Sequence, residues 1–162
     1  MIRFLKTYNI RQFKCLTDGL SDDFGEPFKE TMKLWCKKVD DGKFWQVWII
    51  KKDKETIGVC GVYSMDYETK TLWLGWLGIL KEYRNKGLGK EVMSFLYSES
   101  KKLGAKRLNS YVDKHGKPLS FYYREGFERI GNVKEYLTKK KLKKSEAENF
   151  ENMEDHIITK RL

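Results

Sequence analysis

A short basic loop that contains two glycines, Arg84 to Lys90, is the part of this sequence best suited to binding an anion. An apolar, strand-like run from Thr71 to Ile79 precedes it, and a helical pattern from Val92 to Leu103 follows it. Backbone N–H groups in such a loop and in the first turn of a helix lack partners within the helix and point outward together. Gly87 and Gly89 would let the backbone approach an anion with no Cβ in the way. The loop therefore predicts a phosphate-binding site at the start of a helix.

The spacing of the glycines separates this loop from two other phosphate-binding loops. A P-loop requires Gly-x-x-x-x-Gly-Lys-Ser/Thr, but Arg84 stands in place of its first glycine and Glu91 follows Lys90. The dinucleotide-binding fingerprint requires a third glycine where this chain has Val92. What remains is the pattern Arg-x-x-Gly-x-Gly, to which Arg84 and Lys86 add positive charge.

Composition and charge limit the classes of protein to which the chain can belong. The 162 residues are 40% hydrophobic, which suits one folded domain with a sizeable core. The net charge of +10 would attract nucleic acid, membrane phosphates or a phosphorylated ligand, although a solvated lysine-rich face is the commoner explanation. No apolar run approaches the length of a membrane span, and the first residues lack the apolar core of a signal peptide.

The cysteines and histidines indicate a reducing compartment and argue against a metal centre. Cys15, Cys36 and Cys60 are far apart and lie among apolar neighbours, so we expect buried, unpaired thiols in a cytoplasmic protein. The chain has two histidines and no Cys-x-x-Cys pair, so no zinc site is expected.

Hydrophobic periodicity predicts strands and helices along most of the chain. Short turns join the strands between residues 44 and 79, so these strands should form an antiparallel meander. A helix connects the fourth strand to the fifth, so that pair should be parallel. The predicted strands cover residues 2–5, 44–50, 56–63, 71–79, 106–112, 127–130 and 156–161, and the predicted helices cover 10–20, 27–39, 92–103 and 118–124.

Three stretches carry weaker patterns. Gly75 and Gly78 inside the fourth strand indicate either a β-bulge that frees backbone groups or room for the flanking tryptophans, and both explanations stay open. Ser21 to Gly25 is interpreted as a loop of turn residues before the second helix. Gly131 to Lys144 is ambiguous, and we expect the charged run that starts at Lys139 to lie outside the core.

A second motif, Pro118 to Phe127, bears on the interpretation of the loop. Its sequence, Pro-Leu-Ser-Phe-Tyr-Tyr-Arg-Glu-Gly-Phe, is similar to the second motif of the GNAT superfamily of N-acetyltransferases, Asn-x-x-Ala-x-x-Phe/Leu-Tyr-x-x-x-Gly-Phe. Tyr122 takes the place of the family tyrosine, and His115 stands where many members have asparagine. The Arg-x-x-Gly-x-Gly loop resembles the acetyl-CoA loop of the same superfamily. The resemblance covers about residues 71–131.

The resemblance implies an α/β (α+β) fold with a mixed, mostly antiparallel sheet of six to seven strands. A V-shaped splay would separate the fourth and fifth strands, and helices would cover both faces of the sheet. A single domain would span residues 1–162, with its cofactor-binding core at about 71–131. Members of the superfamily often dimerise, so a homodimer is left open.

The activity implied by the resemblance is acyl transfer. An N-acetyltransferase of this kind moves an acetyl group from acetyl-CoA to a primary amine of a small molecule or of a protein or peptide, by direct attack in a ternary complex and without a metal. Its partners would be acetyl-CoA and an amine acceptor, with neither a membrane nor a specific nucleic acid expected. The alternatives are a non-catalytic acyl-CoA-binding module, or a basic nucleic-acid-binding module that uses residues 139–144. No helix-turn-helix, zinc-finger or RNP-like sequence supports the latter.

The family motifs assign roles to two backbone segments and two side chains of this chain. Backbone groups of Leu77, Gly78 and Ile79 would bind the pantetheine arm and the thioester carbonyl. Tyr122 would contact the cofactor and protonate its sulfur, and His115 would hydrogen-bond the cofactor arm in place of asparagine. The amides that would bind the pyrophosphate belong to Arg84, Asn85, Lys86, Gly87, Leu88, Gly89 and Lys90.

Neither the general base nor the acceptor pocket is assigned by the sequence. Asp66 and Glu68 precede the fourth strand and are expected to be solvated, and a water chain would serve equally well as the base. Tyr123 is the alternative acid if the register of the second motif is shifted by one. Aromatic side chains could line a cleft for an apolar amine, although core packing is the favoured explanation. These residues are Phe44, Trp45, Trp48, Trp73 and Trp76.

Overall fold

The computed structural model describes residues 1–37, 45–65, 68–141, 150 and 152–162, with only the backbone for 25–27, 31 and 34–37. Eight strands and five α-helices are found in these ranges, together with 3-10 turns at Ile10–Phe13 and Lys81–Tyr83. The strands are β1 (Ile2–Lys6), β2 (Trp45–Lys52), β3 (Glu55–Tyr63), β4 (Thr71–Leu74), β5 (Gly78–Ile79), β6 (Arg107–Val112), β7 (Glu128–Asn132) and β8 (His156–Arg161). The helices are α1 (Lys14–Gly19), α2 (Ser21–Lys37), α3 (Leu88–Lys102), α4 (Pro118–Arg124) and α5 (Val133–Lys140).

The strands form one mixed sheet in the order β1-β2-β3-β4-β6-β8-β7, with β5 paired to β3 beyond β4. Every pair is antiparallel except β4 with β6, which are joined through α3 and run parallel. This arrangement confirms the mixed, mostly antiparallel sheet and the parallel fourth and fifth strands. The count is eight rather than six to seven because the predicted strand 71–79 is interrupted and appears as β4 and β5.

The interruption between β4 and β5 is a β-bulge. Leu74 lies opposite Val62 and Gly78 lies opposite Val59, so three residues on this strand face two on β3. The Gly75 amide still donates to the Gly61 carbonyl at 2.8 Å. The extra residue bends the chain and shifts its alignment. Of the two explanations for the glycines in this strand, the bulge is therefore confirmed.

Beyond the bulge, the two parallel strands separate. The ladder between β4 and β6 ends at the pair Trp73 and Asn109, while β6 continues to Val112 and β5 pairs with β3. Within the described sheet, the edge of β5 that faces β6 has no strand partner. The splay predicted between these strands is therefore confirmed, and it exposes backbone groups next to the loop that begins α3.

Helices cover both faces of the sheet, as expected. Val47 and Ile49 of β2 pack against the first two helices, whereas Trp48 and Ile50 point to the opposite face, against α3. The core on the face of Trp48 and Ile50 contains α3 and α4, and α5 packs with Trp73 on the face shared with α1 and α2. None of the helices in the described ranges has the length and apolar composition needed to cross a membrane.

The structure corrects several local predictions. The segment Ser21–Gly25 is not a loop, because α2 begins at Ser21 with two aspartates in its first turn, where the helix dipole favours negative charge. The ambiguous stretch after Gly131 contains α5, which Asn132 and Glu135 stabilise with a reciprocal capping box. The helix predicted over 92–103 spans Leu88–Lys102, and Leu103, just after its end, is 41% exposed.

The thiols differ from the prediction. Cys60 is buried, but Cys15 is exposed, so the expectation of buried thiols is wrong for Cys15; both are free. The side chain of Cys36 lies outside the described set, as do Phe44, Asp66 and residues 142–144.

In the described ranges, no group of three or more histidine, cysteine or acidic residues could hold a metal ion.

Candidate active site

The loop before α3 presents a row of unpaired backbone amides. After the 3-10 turn at Lys81–Tyr83, the backbone takes a positive φ of 60° at Asn85 and 77° at Gly87, and α3 begins at Leu88. Among the described residues, no amide from 85 to 89 donates to a backbone carbonyl. Alternation of right- and left-handed backbone gathers amides into a concave nest that attracts anions. The amino-terminal end of a 15-residue helix adds positive potential there.

The two glycines of the loop serve different purposes. At Gly87, a Cβ would meet no atom within 4 Å, so the glycine leaves open space at a left-handed position. At Gly89, a Cβ would lie 3.1 Å from the ring of Phe121 on α4. Gly87 therefore allows the left-handed turn that opens the loop before α3, while Gly89 allows α3 and α4 to approach closely.

The sequence suggested that Arg84 adds positive charge to the loop. In the structure, its guanidinium is instead held in an ion pair. Its Nη1 and Nη2 atoms donate to the two carboxylate oxygens of Asp23, at 3.2 and 2.6 Å, and its Nε donates to the carbonyl of Ile79 at 2.7 Å. Lys86 donates to the Glu82 carbonyl at 2.8 Å. The loop's attraction for an anion therefore comes mainly from its amides.

The segment Leu77–Ile79 lies directly beside the loop. Gly78 and Ile79 pair with Val59 and Gly58 of β3, and the Leu80 amide donates to the carbonyl of Ile57 at 2.9 Å. The other edge of this segment faces the splay. It can therefore offer backbone hydrogen bonds to an extended ligand, in the way that a neighbouring strand would.

The Tyr122 side chain is buried in the face of the sheet that carries this loop. It is 8% exposed, and its ring packs edge-on against Phe121 and Phe127. No partner for its hydroxyl exists in the part of the chain that the structure describes. Burial raises the pKa of Tyr122 above that of an ordinary tyrosine. The hydroxyl is therefore protonated at neutral pH and able to donate a hydrogen bond.

The neighbours of Tyr122 have distinct environments. Tyr123, the alternative for a shifted register, is 43% exposed on the outer side of α4. No sequence motif marks Tyr97 of α3; burial raises its pKa, and its hydroxyl donates to the Glu125 carbonyl at 3.3 Å. His115 is exposed in the loop before α4, and its amide donates to the Asp113 carboxylate at 2.8 Å.

Glu68 is not the solvated carboxylate that the sequence suggested. Its side chain is only 5% exposed, and Lys140 contacts one carboxylate oxygen at 2.9 Å. The indole Nε1 of Trp73 donates to the other oxygen at 2.8 Å. Glu68 therefore joins α5 to the start of β4.

Three of the four candidate tryptophans, Trp48, Trp73 and Trp76, confirm the preference for core packing over a cleft lining, while Trp45 is partly buried at the start of β2. Trp73 is fully buried and Trp48 is 4% exposed. Trp76, in the bulge, is half-buried and packs against the rings of Phe24 and Phe28 of α2, which also contact each other. The bulge is thus fixed from the α2 side of the sheet.

A family model for the GNAT acetyltransferase domain matches residues 43–129 of this chain. This match covers more than half of the chain and includes both motifs. The chain belongs to the GNAT family of acetyltransferases. No curated protein matches its sequence.

Solved structures share the fold at low sequence identity. A GNAT-family protein from Desulfovibrio desulfuricans superposes with a TM-score of 0.74 at 14% identity, covering 100% of this chain and 98% of its own. The PaiA N-acetyltransferase of Thermoplasma acidophilum, in complex with coenzyme A, superposes with a TM-score of 0.66 at 16% identity, covering 100% of this chain and 99% of its own. A Bacillus subtilis acetyltransferase in complex with CoA superposes with a TM-score of 0.68 at 18% identity, covering 99% of this chain and 97% of its own.

Proposed function

We propose that this protein is an N-acetyltransferase that moves an acetyl group from acetyl-CoA to a primary amine of a small molecule or of a protein or peptide. The observation that carries the proposal is the placement of two sets of unpaired backbone groups side by side. One set lies on the edge of β5 that has no strand partner in the described sheet, apart from the Ile79 carbonyl, which accepts from Arg84; the other is the row of amides from 85 to 89. An extended arm and a pyrophosphate, which coenzyme A combines in one molecule, fit this arrangement.

In the proposed complex, the cofactor follows these backbone groups. Amides of residues 85–89 bind the pyrophosphate, with the helix dipole adding to the attraction. The amides of Arg84 and Lys90, which the sequence also offered for this role, instead donate to the carbonyls of Lys81 and Gly87. Backbone groups of Leu77, Gly78 and Ile79 bind the pantetheine arm and the thioester carbonyl. A donor already fixed in a strand stabilises the negative oxygen of the tetrahedral intermediate without reorganisation. His115 remains a proposed contact to the arm, from the loop that leads into α4.

Direct transfer requires the amine to attack the thioester carbon and the C–S bond to break. The amine must first lose a proton, because an alkylammonium with a pKa of about 10.4 has no free electron pair. The departing thiolate has a conjugate acid of pKa about 8.5, by analogy with cysteine. Tyr122, with a pKa above that of ordinary tyrosine, donates a hydrogen bond to this sulfur as its charge develops. Bulk water, reached through a water chain, receives the proton that the ammonium loses before attack and the second nitrogen proton that is lost as the tetrahedral intermediate collapses. The released thiolate then takes a proton from water.

Calorimetric titration of acetyl-CoA into the wild type and a Gly87→Glu variant tests the cofactor site. Gly104→Glu is the matched control, because Gly104 has a φ of 81° and no atom within 4 Å of a Cβ, at the opposite end of the same helix. Both variants add the same charge at the same backbone strain. Binding that is lost only in Gly87→Glu would support the site; equal affinities in all three proteins would refute it.

A panel of amine acceptors then tests catalysis, with release of free coenzyme A as the signal. Turnover with small amines or with peptide amino groups would identify the acceptor class. Saturable acetyl-CoA binding without turnover on any amine would instead favour the acyl-CoA-binding module. The free thiols Cys15 and Cys60 fit the reducing, cytoplasmic location that we propose with this function.

A further inference from the structure

The first turns of α2 pack directly on the strand that would hold the cofactor arm. A Cβ at Gly78 would lie 2.6 Å from Phe24 and 2.9 Å from Leu20, so glycine is needed for this close approach. Phe24 also contacts Trp76 of the bulge, with ring centroids 4.9 Å apart. A Cβ at Gly19 would likewise meet Leu80 at 2.4 Å. The corner between α1 and α2 therefore supports the whole segment from the bulge to the end of β5.

A polar contact joins the same corner to the amide loop. Arg84 is the first residue of the loop after the 3-10 turn, and its guanidinium forms a two-pronged pair with Asp23 of α2. Its Nε simultaneously donates to the Ile79 carbonyl at the end of β5. One side chain thus connects α2, β5 and the loop. The two charged side chains are 35% and 29% exposed, so the pair is partly shielded from solvent.

We propose that Asp23 is a positioning residue for the cofactor: it fixes Arg84 and, through it, the amide loop and the end of β5. The proposal rests on the proposed function, since the cofactor site must exist for Asp23 to position it. Asp23 itself makes no contact with the cofactor in this scheme. Its effect comes from holding unpaired amides in one orientation before the ligand arrives, which lowers the entropy lost on binding.

The sign of the effect distinguishes positioning from simple electrostatics. Coenzyme A is an anion, so a carboxylate near its phosphates repels it. If charge alone mattered, Asp23→Asn would strengthen acetyl-CoA binding. If Asp23 acts by holding Arg84, the same substitution weakens binding, because asparagine cannot form the charged two-pronged pair.

The chain offers a matched control in the preceding residue. Asp22 pairs with Lys81 at 2.8 Å, also between the first turn of α2 and the segment before the loop. These side chains are 77% and 59% exposed, and Lys81 makes no bond to β5 among the described residues. Exposed ion pairs of this kind contribute little to the stability of the contacts between the segments they join. Asp22→Asn therefore removes the same charge from the same helix turn without removing the connection through Arg84.

The experiment compares acetyl-CoA affinity in the wild type, Asp23→Asn, Arg84→Gln, the double variant and Asp22→Asn. We expect Asp23→Asn to weaken binding about tenfold, Asp22→Asn to stay within about twofold, and the double variant to be no weaker than the weaker single variant. In steady-state assays, Asp23→Asn should raise the KM for acetyl-CoA with kcat nearly unchanged. Tighter binding by Asp23→Asn, or independent multiplicative losses in the double variant, would overturn the proposal.

Limited trypsin digestion gives a readout that needs no cofactor. Cleavage after Arg84, followed by mass spectrometry, should be faster in Asp23→Asn than in the wild type and unchanged in Asp22→Asn. Equal cleavage in all three would overturn the proposal even if a variant failed to bind for another reason. A wild type that binds no acetyl-CoA would refute the proposed function and, with it, any positioning of a cofactor. Wild-type binding with an unaffected Asp23→Asn variant would refute the inference alone.

Discussion

Removal of the Tyr122 hydroxyl should reduce catalysis without reducing stability. In Tyr122→Phe, the ring retains its edge-on contacts with Phe121 and Phe127, and its volume hardly changes. The hydroxyl has no hydrogen-bond partner among the described residues, so the folded protein loses no such bond. We expect the free energy of unfolding to change by less than about 0.5 kcal/mol.

The expected loss of rate follows from the interaction that the hydroxyl would make. A hydrogen bond to a charged group contributes about 1.5–3 kcal/mol, which corresponds to a roughly 10- to 150-fold decrease in kcat. The lower part of this range is favoured, because a tyrosine with a raised pKa gives a thiolate a hydrogen bond more readily than a proton. The KM for acetyl-CoA should stay nearly constant, since the interaction strengthens only as the C–S bond breaks.

The assay is steady-state release of coenzyme A over pH 6 to 10, together with urea unfolding of each protein. Tyr123→Phe is the control, because Tyr123 is 43% exposed on the same helix. Since burial keeps Tyr122 protonated over this range, wild type and Tyr122→Phe should share the same pH profile shape. Full turnover by Tyr122→Phe would remove Tyr122 from the mechanism, and a larger loss in Tyr123→Phe would show that the motif register is shifted by one.

Three further predictions concern stability. Gly78→Ala should lower stability by about 1–3 kcal/mol in urea unfolding, because its Cβ would lie 2.6 Å from Phe24; an unchanged midpoint would contradict the close packing. Lys140→Met should lower the free energy of unfolding by about 2 kcal/mol, because it leaves the buried Glu68 carboxylate without its cation. Adding Glu68→Gln to this variant should restore most of the lost stability. Burial lowers the pKa of His156, with Arg129 acting in the same direction. Below about pH 6.5 the unfolded chain therefore binds more protons, so the free energy of unfolding should fall between pH 7 and pH 5, and His156→Gln should flatten this slope.

Local patterns were sufficient for the elements closest to the motifs. The helix of the second motif was predicted at Pro118–Arg124 and is found there, since proline favours a first helical turn and Gly126 takes the left-handed position after its end. The final strand at His156–Arg161 was also predicted at its observed bounds. The two glycines in the fourth strand indicated a bulge only as one of two explanations, and the strand pairing decided between them. The helix and the final strand depend on backbone preferences of a few consecutive residues.

Other features depend on partners that are distant in the sequence. Ser21 to Gly25 has the composition of a loop, yet it is helical, because Leu20 and Phe24 pack on the sheet at Gly78. Glu68 lies in a polar stretch typical of a turn, yet its side chain is buried, because Lys140 reaches it from α5. Neither partner could be identified from the neighbouring letters of the sequence.

The sequence by itself determined the strand–loop–helix arrangement, the second motif, and the family to which they belong. Glycine positions and capping residues act through local backbone energies, which a sequence expresses directly. Only the tertiary structure decided how the site is held. Asp23 and Arg84 are 61 residues apart, and the close approach of α2 to β5 brings their charges together. That contact depends on packing of the whole chain, so no short stretch of sequence could specify it.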